Sequence, residues 1–482
     1  MTIEHDGLFI GGDWVAPHST ARITVTSPAS EQPLGSVPHA DEEDVDKAVS
    51  AARKAFDDPQ GWAHWDPARR AEALHRFADV MEQRSSEIAR SVTAQNGMPL
   101  MFSEPSEGRT SAFVLRHAAR LITEMPPERM QERADGTGRT LIRREPIGVV
   151  GAIPAWNFPQ TLAAFKYASA LAAGCTVVLK PPQETVLDAV LLADVVKEAG
   201  LPPGVMNIVF GGAETGSSLV GHPGVDKIGF TGSTAVGRLI AEKCARLLKP
   251  VTLELGGKSA AVLLDDVDVD AVVNSAAFLI MTMFNSGQAC WASTRILAPR
   301  SRYEEIVEAM ASMMGKLVVG DPMDPETQIG PMATEKHRAR VEGYIRKGVG
   351  EGARLVTGGG RPQHPEKGWF VEPTLFADVD NRSTIAQDEI FGPVLSVIPY
   401  QDEDDAVRIA NASRYGLSGT VWTKSTDRGI ALARRVHSGM YSINGRRTDL
   451  GAPFGGEKES GLGRELGMEG LASYQRLQSI FV

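Results

Sequence analysis

Cys290 is the first residue of chemical interest, in the stretch Asn285-Ser286-Gly287-Gln288-Ala289-Cys290. It follows a glycine turn at the end of an apolar helical segment, which is an accessible place for a nucleophile. The chain has three cysteines, and their wide spacing without a CxxC pair fits neither a disulfide framework nor a zinc site. Cys175 has the pattern of a buried strand and Cys244 that of the apolar face of a helix. Cys290 is therefore the candidate nucleophile.

A glutamate and an asparagine are the next candidates. Glu254 has apolar neighbours and is followed by Gly-Gly, so desolvation would raise its pKa into the range of a general base. The alternative is a solvated glutamate at the end of a strand. Asn157 lies between aromatic residues and prolines, and this stiff setting suits an amide donor that is held for an oxyanion. The alternative is a side chain that satisfies loop backbone.

Three glycine-containing segments complete the set. Gly232 lies between a predicted strand and a predicted helix, where backbone N–H groups can bind phosphate oxygens. The GxGxxG fingerprint is absent, and a plain turn capped by Ser233 explains the segment equally well. Glu389 stands beside Phe391 in a turn, and a glycine-dense loop runs from residue 453 to residue 465. Each of these last two could be ordinary surface loop.

The periodicity of the chain predicts the elements that position these residues. Helices are predicted over 43–56 and 67–87. From residue 146 to residue 254, short β-rich runs alternate with helical ones, which is typical of a parallel sheet with crossover helices. Such sheets bind ligands at the carboxyl ends of their strands. A second α/β region runs from about Leu255 to about Ser438. The predicted strands of the first region are 147–153, 176–179, 206–209, 227–230 and 251–253, with helices at 185–199 and 234–248.

A hairpin is predicted after Pro126-Pro127, with a polar, glycine-bearing tip at 131–139 and an apolar–polar run at 140–144. A lone hairpin buries little surface, so we expect it to pack on another subunit. A mobile surface loop is the alternative.

The composition describes an ordinary globular enzyme of 482 residues, 42% hydrophobic and 23% charged, long enough for two or three domains. A formal charge of −10 argues against a nucleic-acid partner. The longest strongly apolar run, 276–284, is too short to span a membrane, and the acidic N-terminus lacks the order of a signal peptide. The ten histidines show no ligand spacing, so no catalytic metal is expected. We expect a cytoplasmic protein.

Taken together and in this order, the segments around Asn157, Lys180, Gly232, Glu254, Cys290, Glu389 and Phe454 resemble the aldehyde dehydrogenase superfamily over essentially the whole chain. Agreement at seven separated motifs is far more specific than any one of them. The resemblance implies a parallel-sheet dinucleotide-binding α/β domain, an α/β catalytic domain and a bridging β-hairpin. The implied ranges are 1–121 and 145–254 for the first domain, 255–438 for the second, 122–144 and 469–482 for an oligomerisation arm, and 439–468 for a segment closing the active site.

The resemblance also implies residue roles. Cys290 corresponds to the nucleophile, Glu254 to the general base, and the Asn157 amide with the Cys290 N–H to the oxyanion hole. Lys166 and Glu465 correspond to a pair proposed to relay protons. For the cofactor, Lys180 corresponds to the adenosine-ribose ligand and Glu389 to the nicotinamide-ribose ligand. The remaining cofactor positions are Ser233 and Trp156 at the pyrophosphate, Thr231 and Phe391 near the nicotinamide, and Ile153, Pro154, Gln183 and Gly232.

The cofactor implied is NAD, with NADP possible. Gln183 stands where strictly NAD-using relatives commonly have a glutamate, whose charge would repel a 2′-phosphate. Neighbouring Glu184 could partly compensate. Two further departures are Ala155, where a proline is common, and Glu457, where an aromatic or apolar residue is common.

The substrate implied is a hydrophobic aldehyde, aliphatic, terpenoid or aromatic, and the product is a free acid because relatives that form acyl-CoA generally lack the glutamate at 254. The positions corresponding to the family's aldehyde tunnel are apolar and carry no arginine to pair a second carboxylate. A broad-range scavenger is the alternative. The tunnel positions are Leu162, Phe165, Phe284, Ala289, Trp291 and Phe454.

Two rival functions differ in class. A thiol esterase could use the same cysteine, but it would need no ribose or phosphate motif. A non-catalytic relative could keep the fold, but the joint presence of Cys290, Glu254 and Asn157 argues against it. The family resemblance implies a homodimer or homotetramer, with the hairpin and the strand near 474–481 crossing between subunits.

Overall fold

The computed structural model describes residues 3–446 and 448–482. Positions 1–2 of the predicted first domain and position 447 of the predicted closing segment lie outside the described residues. The strands are β1 (Ile3–Glu4), β2 (Leu8–Ile10), β3 (Asp13–Val15), β4 (Arg22–Thr26), β5 (Pro33–Pro38), β6 (Glu128–Glu132), β7 (Arg139–Pro146), β8 (Val149–Ile153), β9 (Thr176–Leu179), β10 (Met206–Ile208), β11 (Lys227–Thr231), β12 (Val251–Glu254), β13 (Ala260–Leu263), β14 (Arg295–Pro299), β15 (Arg354–Thr357), β16 (Thr374–Ala377), β17 (Val394–Tyr400), β18 (Tyr415–Gly416), β19 (Thr420–Trp422), β20 (Ser442–Ile443), β21 (Glu457–Lys458), β22 (Gly461–Leu462) and β23 (Gln475–Phe481).

The helices follow the same chain order, with short 3-10 turns at Trp62–His64, Gln183–Thr185, Phe284–Gly287 and Arg300–Arg302. They are α1 (Glu42–Asp57), α2 (Pro67–Gln83), α3 (Ser85–Asn96), α4 (Leu100–Ser103), α5 (Thr110–Glu124), α6 (Pro159–Ala173), α7 (Leu187–Glu198), α8 (Ala213–Gly221), α9 (Thr234–Arg246), α10 (Val269–Val273), α11 (Ala276–Met283), α12 (Tyr303–Met314), α13 (Glu335–Gly350), α14 (Thr384–Gln387), α15 (Glu403–Asn411), α16 (Thr426–Ala433) and α17 (Gly467–Ala472).

The first sheet has the strand order β22-β12-β11-β8-β9-β10-β2-β3. Its five central strands, from β12 to β10, are parallel, and antiparallel strands flank them on both sides. These central strands are apolar and buried, as expected of parallel strands covered by helices on both faces. The helix α6 packs in this core with every residue buried. The predicted parallel-sheet α/β unit is confirmed.

The second sheet has the order β15-β16-β17-β14-β13-β19-β20 and is parallel except for β15. Alternate residues of its strands enter two separate cores. Val262 packs in one and Leu263 in the other, because successive side chains of a strand point to opposite faces. The two sheets together give the predicted α/β class. The domain ranges stay a prediction.

The predicted hairpin forms from β6 and β7, and β23 pairs with β7 over its whole length. This three-stranded sheet stands apart from the two large ones. Apolar side chains of β23 such as Leu477 and Phe481 are exposed at 63% and 72%. Smaller sheets pair β1 and β4 with β5, and β18 with β21.

Several predicted boundaries were wrong. The helix predicted over 67–87 is two helices, because Arg84 leaves helical geometry with φ −99° and ψ 11° between α2 and α3. The strand predicted from 147 begins at Val149, because Gly148 has φ +136°. The helix predicted to 248 ends at Arg246, and Leu248 has φ +52°. In the described parts of the chain, no helix is both long and apolar enough to cross a membrane.

Candidate active site

Four neighbouring parallel strands end at one edge of the first sheet, and a predicted site residue stands at or just after each end. Lys180 follows β9 and Asn157 lies in the loop after β8. Thr231 ends β11, and Glu254 ends β12 directly opposite it in register. The sheet topology therefore brings together side chains that are distant in sequence, at the edge where α/β proteins bind ligands.

The loop that carries Cys290 is held in an unusual backbone conformation. Asn285, Ser286 and Gly287 are consecutive residues with positive φ, a region that favours glycine and that β-carbon-bearing residues adopt only under restraint. The restraint is visible. Asn285 Nδ2 donates to the Asn157 carbonyl at 3.0 Å, and Ser286 Oγ donates to the Gly330 carbonyl at 3.0 Å.

Gly257 passes directly over the Cys290 backbone. A Cβ at Gly257 would overlap the carbonyl oxygen of Cys290, so this position accepts only glycine. Cys290 is partly exposed, as expected of a nucleophile. Burial, together with the negative charges of Glu389 and Glu254, raises the pKa of its thiol. The thiol is therefore protonated near neutral pH and must pass its proton to a base before it can attack. Cys175 and Cys244 are buried, as predicted.

Asn157 is tied to the cysteine loop by its side chain. Its Nδ2 donates to the carbonyl of Gln288 at 3.0 Å, and the side chain is 2% exposed. A carboxamide has two N–H donors, and this bond uses one of them. The alternative, that Asn157 only satisfies loop backbone, therefore accounts for one of its two N–H donors and not for the other.

Glu254 is not the solvated glutamate that the sequence left open. The residue is 2% exposed, and neither carboxylate oxygen has a hydrogen-bond partner among the described residues. Burial and the charge of Glu465 raise its pKa well above the usual value. A Cβ on Gly455 would lie 2.7 Å from Glu254 Oε1, so the glycine-dense loop lets its backbone approach the carboxylate.

A buried chain of polar groups runs behind Glu254. Lys166 Nζ donates to Glu465 Oε1 at 2.8 Å and to Thr231 Oγ1 at 2.6 Å. Both charged side chains are fully buried. Backbone pairing between Phe454 and Glu465, in both directions, fixes Glu465. The structure thus links four predicted residues, Lys166, Glu465, Thr231 and Phe454. The first three of them carry groups that can pass on a proton.

Glu389 lies close enough to the cysteine loop for its charge to raise the pKa of the Cys290 thiol. Its Oε1 accepts the backbone N–H of Gly257 at 2.9 Å, and a Cβ on Gly256 would overlap its Oε2. Burial raises the pKa of Glu389 to about 7. Phe391, with φ +65°, packs edge-on against Trp156 at 5.3 Å between ring centroids.

The remaining predicted cofactor positions lie at or just after the ends of β8, β9 and β11. Lys180 is buried, and among the described residues its Nζ forms one hydrogen bond, of 3.0 Å, to the Gly211 carbonyl. Burial lowers the pKa of Lys180 to about 8. Ser233 caps α9 with a 3.4 Å bond from Val236 N, and a Cβ at Gly232 would overlap the Phe230 ring. Gln183 is exposed beside Gly212, and Ile153 and Pro154 are buried at the end of β8.

The predicted tunnel residues form an apolar, mostly aromatic wall. Phe165 contacts Phe454 edge-on at 5.4 Å, and Phe284 lies 5.7 Å from Trp291. Leu162 and Ala289 are buried in the same core. The sequence did not single out Phe102, which packs on Phe284 at 4.7 Å, because it lies on a short helix far from every motif.

Two further residues, His337 and Arg295, were not predicted from the sequence. His337 Nε2 donates to the Phe391 carbonyl at 2.6 Å, and burial lowers its pKa to about 4, so the ring is neutral. Arg295 is buried and donates to the carbonyls of Ile409 and Ala410. Neither residue was assigned a role from the sequence, and His337 gave no local signal. Among the described residues no group of three His, Cys, Asp or Glu side chains could hold a metal ion.

The chain matches the model of the aldehyde dehydrogenase family over residues 14–480. It is 53% identical to the geranial dehydrogenase of Castellaniella defragrans over 482 residues, which cover 100% of both chains. A crystal structure of Mycobacterium tuberculosis aldehyde dehydrogenase complexed with NAD+ is 47% identical, with a TM-score of 0.97 over 100% of this chain and 99% of that one.

A crystal structure of a cysteine-to-alanine mutant of aldehyde dehydrogenase C from Pseudomonas syringae, complexed with NAD+ and octanal, is 39% identical. Its TM-score is 0.94, over 98% of this chain and 96% of that one. Sequence, fold and the geometry of the candidate site thus agree, and the chain belongs to the aldehyde dehydrogenase family.

Proposed function

We propose that this enzyme oxidises a hydrophobic aldehyde to its carboxylic acid with reduction of NAD, through a thioester on Cys290. The observation that carries the proposal is Glu254, a buried carboxylate that has no hydrogen-bond partner in the described part of the chain and whose charge raises the pKa of the Cys290 thiol. A carboxylate in this environment is a strong base near neutral pH, and desolvation is the reason.

The reaction begins when Glu254 accepts the thiol proton and Cys290 attacks the aldehyde carbon. The free N–H of the Asn157 amide and the Cys290 backbone N–H stabilise the alkoxide of the hemithioacetal. NAD, when bound, supplies a hydride acceptor. Glu254 then removes a proton from the water that hydrolyses the thioester, which regenerates the thiol. Lys166 and Glu465 form a charged pair that shifts the pKa of Glu254. The pair also provides a route by which the proton leaves the site.

The residues present fit a dinucleotide. Lys180 is buried just after β9 and uses one of its three N–H donors within residues 3–446 and 448–482. The N-terminus of α9 offers backbone N–H groups for phosphate oxygens. Glu389 supplies a carboxylate for ribose hydroxyls, and Phe391 and Trp156 supply an aromatic surface beside it. The two relatives with bound NAD+ support the cofactor assignment. Gln183 is neutral and exposed, so NADP stays an alternative.

The substrate class follows from the aromatic wall. An alkyl, terpenoid or aryl group would be buried against the side chains of this wall, and none of these side chains could pair with a second carboxylate. The residues are Leu162, Phe165, Phe284, Trp291 and Phe454. The names of two relatives support this, because one acts on geranial and another was crystallised with octanal.

We further propose that the arm formed by β6, β7 and β23 pairs subunits in a homodimer or homotetramer. Its support is the exposed apolar surface of Leu477 and Phe481, which lie on the same face of a small sheet. A monomer by light scattering would count against it.

The test of the proposed function is the absorbance of reduced nicotinamide with a panel of octanal, citral, benzaldehyde and succinic semialdehyde, with NAD or NADP. We expect turnover with the wild type, none with Cys290→Ala, and higher kcat/KM for the first three aldehydes. Higher kcat/KM for succinic semialdehyde would overturn the substrate assignment, and turnover by Cys290→Ala would overturn the mechanism.

A further inference from the structure

The helix α6 begins two residues after Asn157 and lacks a cap of its own. Its first residue is Pro159, and the preceding Phe158 makes no side-chain capping bond. The first free N–H groups of the helix, at Gln160 and Thr161, are bound instead by Glu107, from the turn between α4 and α5. Glu107 Oε2 accepts these two N–H groups at 2.9 and 3.4 Å. A carboxylate there satisfies unpaired donors and interacts favourably with the helix dipole.

Glu107 belongs to a buried acidic cluster that has no counter-ion. Asp188 on α7 accepts Gln160 Nε2 at 2.6 Å and Gln95 Nε2 at 3.3 Å. Both carboxylates are buried, and within residues 3–446 and 448–482 neither forms an ion pair. Burial raises the pKa of Glu107 to about 7, and the charge of Asp188 adds to this. Burying two uncompensated acids costs stability, so the cluster calls for a role beyond packing.

The backbone between Asn157 and the helix is held from its other side by amides. Asn96 Nδ2 donates to the Trp156 and Asn157 carbonyls at 3.2 and 3.3 Å, and Asn285 Nδ2 donates to the Asn157 carbonyl. Glu107 is therefore the anchor on the C-terminal side of Asn157, and the amides are the anchors at the residue itself. Because the backbone is held on both sides of Asn157, these contacts set the direction of its side chain.

We infer that Glu107 is a positioning residue for catalysis, which fixes the start of α6 and thereby aims the Asn157 amide at the carbonyl oxygen of the aldehyde. The inference rests on the proposed function, because it needs Asn157 to act on the oxyanion. Loss of a single oxyanion donor lowers kcat by about 10²–10³. A donor that is kept but misaimed should lower it by less, about tenfold.

The test is a double-mutant cycle between Glu107→Leu and Asn157→Ala, with kcat for octanal oxidation as the readout. Leucine removes both oxygens, whereas Glu107→Gln keeps an oxygen for the two N–H groups. We expect Glu107→Leu to lower kcat about tenfold with the KM for NAD unchanged, and Glu107→Gln to stay within about twofold of the wild type. In the Asn157→Ala background, Glu107→Leu should cause no further loss, because the residue it positions is gone.

Two controls separate positioning from general damage. The rate of Cys290 alkylation by iodoacetamide does not use Asn157, so it should be unchanged in Glu107→Leu. Ser111→Ala removes a 3.2 Å bond from Ser111 Oγ to the Gln160 carbonyl in the same cluster, and it leaves both N–H groups bound to Glu107. Its kcat should stay within about twofold of the wild type.

The inference is overturned if the losses multiply in the double mutant, or if alkylation slows in parallel with kcat. If Asn157→Ala keeps full activity, the proposed role of Asn157 is wrong. If Asn157→Ala loses activity but Glu107→Leu keeps it, only the inference about Glu107 is wrong. Should Glu107→Leu not fold, Glu107→Asp takes its place in the cycle, because the shorter side chain draws the carboxylate away from the two N–H groups. It should then lower kcat at least about fivefold, again without further loss in Asn157→Ala.

Discussion

Lys166 Nζ donates to Glu465 Oε1 at 2.8 Å inside the protein, and the two residues are separated by 299 positions in sequence. The pair joins the central helix α6 to the loop that covers Glu254. Buried ion pairs contribute little net stability, since desolvation offsets their attraction. The charges of both residues shift the pKa of Glu254, so we expect the pair to influence the charge state of the proposed base.

Replacing Glu465 by glutamine should therefore change the pH dependence of the reaction. The charge of Glu465 raises the pKa of Glu254, so its removal lowers that pKa. We expect the acidic limb of the kcat profile to move to lower pH by about one unit, measured from about pH 6 to about pH 9. Glu469→Gln, at an exposed neighbouring position, is the control and should not move the limb. A shift to higher pH would contradict the assignment of Glu254 as the base.

Asp188→Asn should change the pH dependence of stability. Burial raises the pKa of Asp188 from 3.8 to about 7, so between these values the folded protein holds a proton that the unfolded chain has released. The contribution of Asp188 to stability is therefore lost as pH rises from about 4 to about 7. We expect the variant to exceed the wild type in Tm by about 2–4 °C at pH 8 or so, with no gain near pH 4. Exposed Asp270→Asn is the control; an equal gain at both pH values would refute the explanation.

Gly256→Ala should weaken cofactor binding without disabling the thiol. A Cβ at Gly256 overlaps Glu389 Oε2, so the carboxylate must move away from its bond to Gly257 N. We expect the KM for NAD to rise about tenfold, with the rate of Cys290 alkylation unchanged. Gly343→Ala, on α13, is the matched control, because its Cβ would lie 3.9 Å from Arg346 Nη2, an ordinary van der Waals contact. An unchanged KM for NAD would show that Glu389 does not bind the cofactor.

Phe284→Ala should lower activity selectively for large aldehydes. The ring packs against Phe102 and Trp291, and its removal opens the aromatic wall. We expect kcat/KM for citral to fall about tenfold, because apolar contact is lost, and kcat/KM for acetaldehyde to change by less than about threefold. Equal losses for both aldehydes would place Phe284 outside the substrate channel.

The sequence predicted the class of fold and the residues that carry strong local patterns. Thr176–Leu179 was predicted to the residue, because a short apolar run bounded by glycine and proline leaves little choice. The break at Arg84 was missed, since the apolar period continues across it. Glu254 was predicted from the sequence as a candidate base, and this role stays a prediction; its burial depends on β22 and the loop around Gly455, about two hundred residues further along the chain.

Residues that act through tertiary contact gave no such signal. His337 and Glu107 lie in ordinary helical and turn patterns, and only the folded chain brings them to the backbone of Phe391 and of α6. Motif spacing reports chemistry that is local in sequence. Support from a distant segment is a property of the packing.

The central claim is that a thioester forms on Cys290 and that Glu254 activates the water that hydrolyses it. Trapping the thioester tests this claim most directly. Glu254→Gln should lose the base for both steps, so kcat should fall at least about 10²-fold; at about pH 9 the thiol can still pass its proton to solvent hydroxide, so Cys290 should acylate slowly and the thioester should persist. After mixing with octanal and NAD, mass spectrometry should find the Cys290 peptide heavier by one octanoyl group, in an amount equal to the reduced cofactor formed. Reduced cofactor without an adduct on Cys290, or an adduct on another residue, would contradict the account.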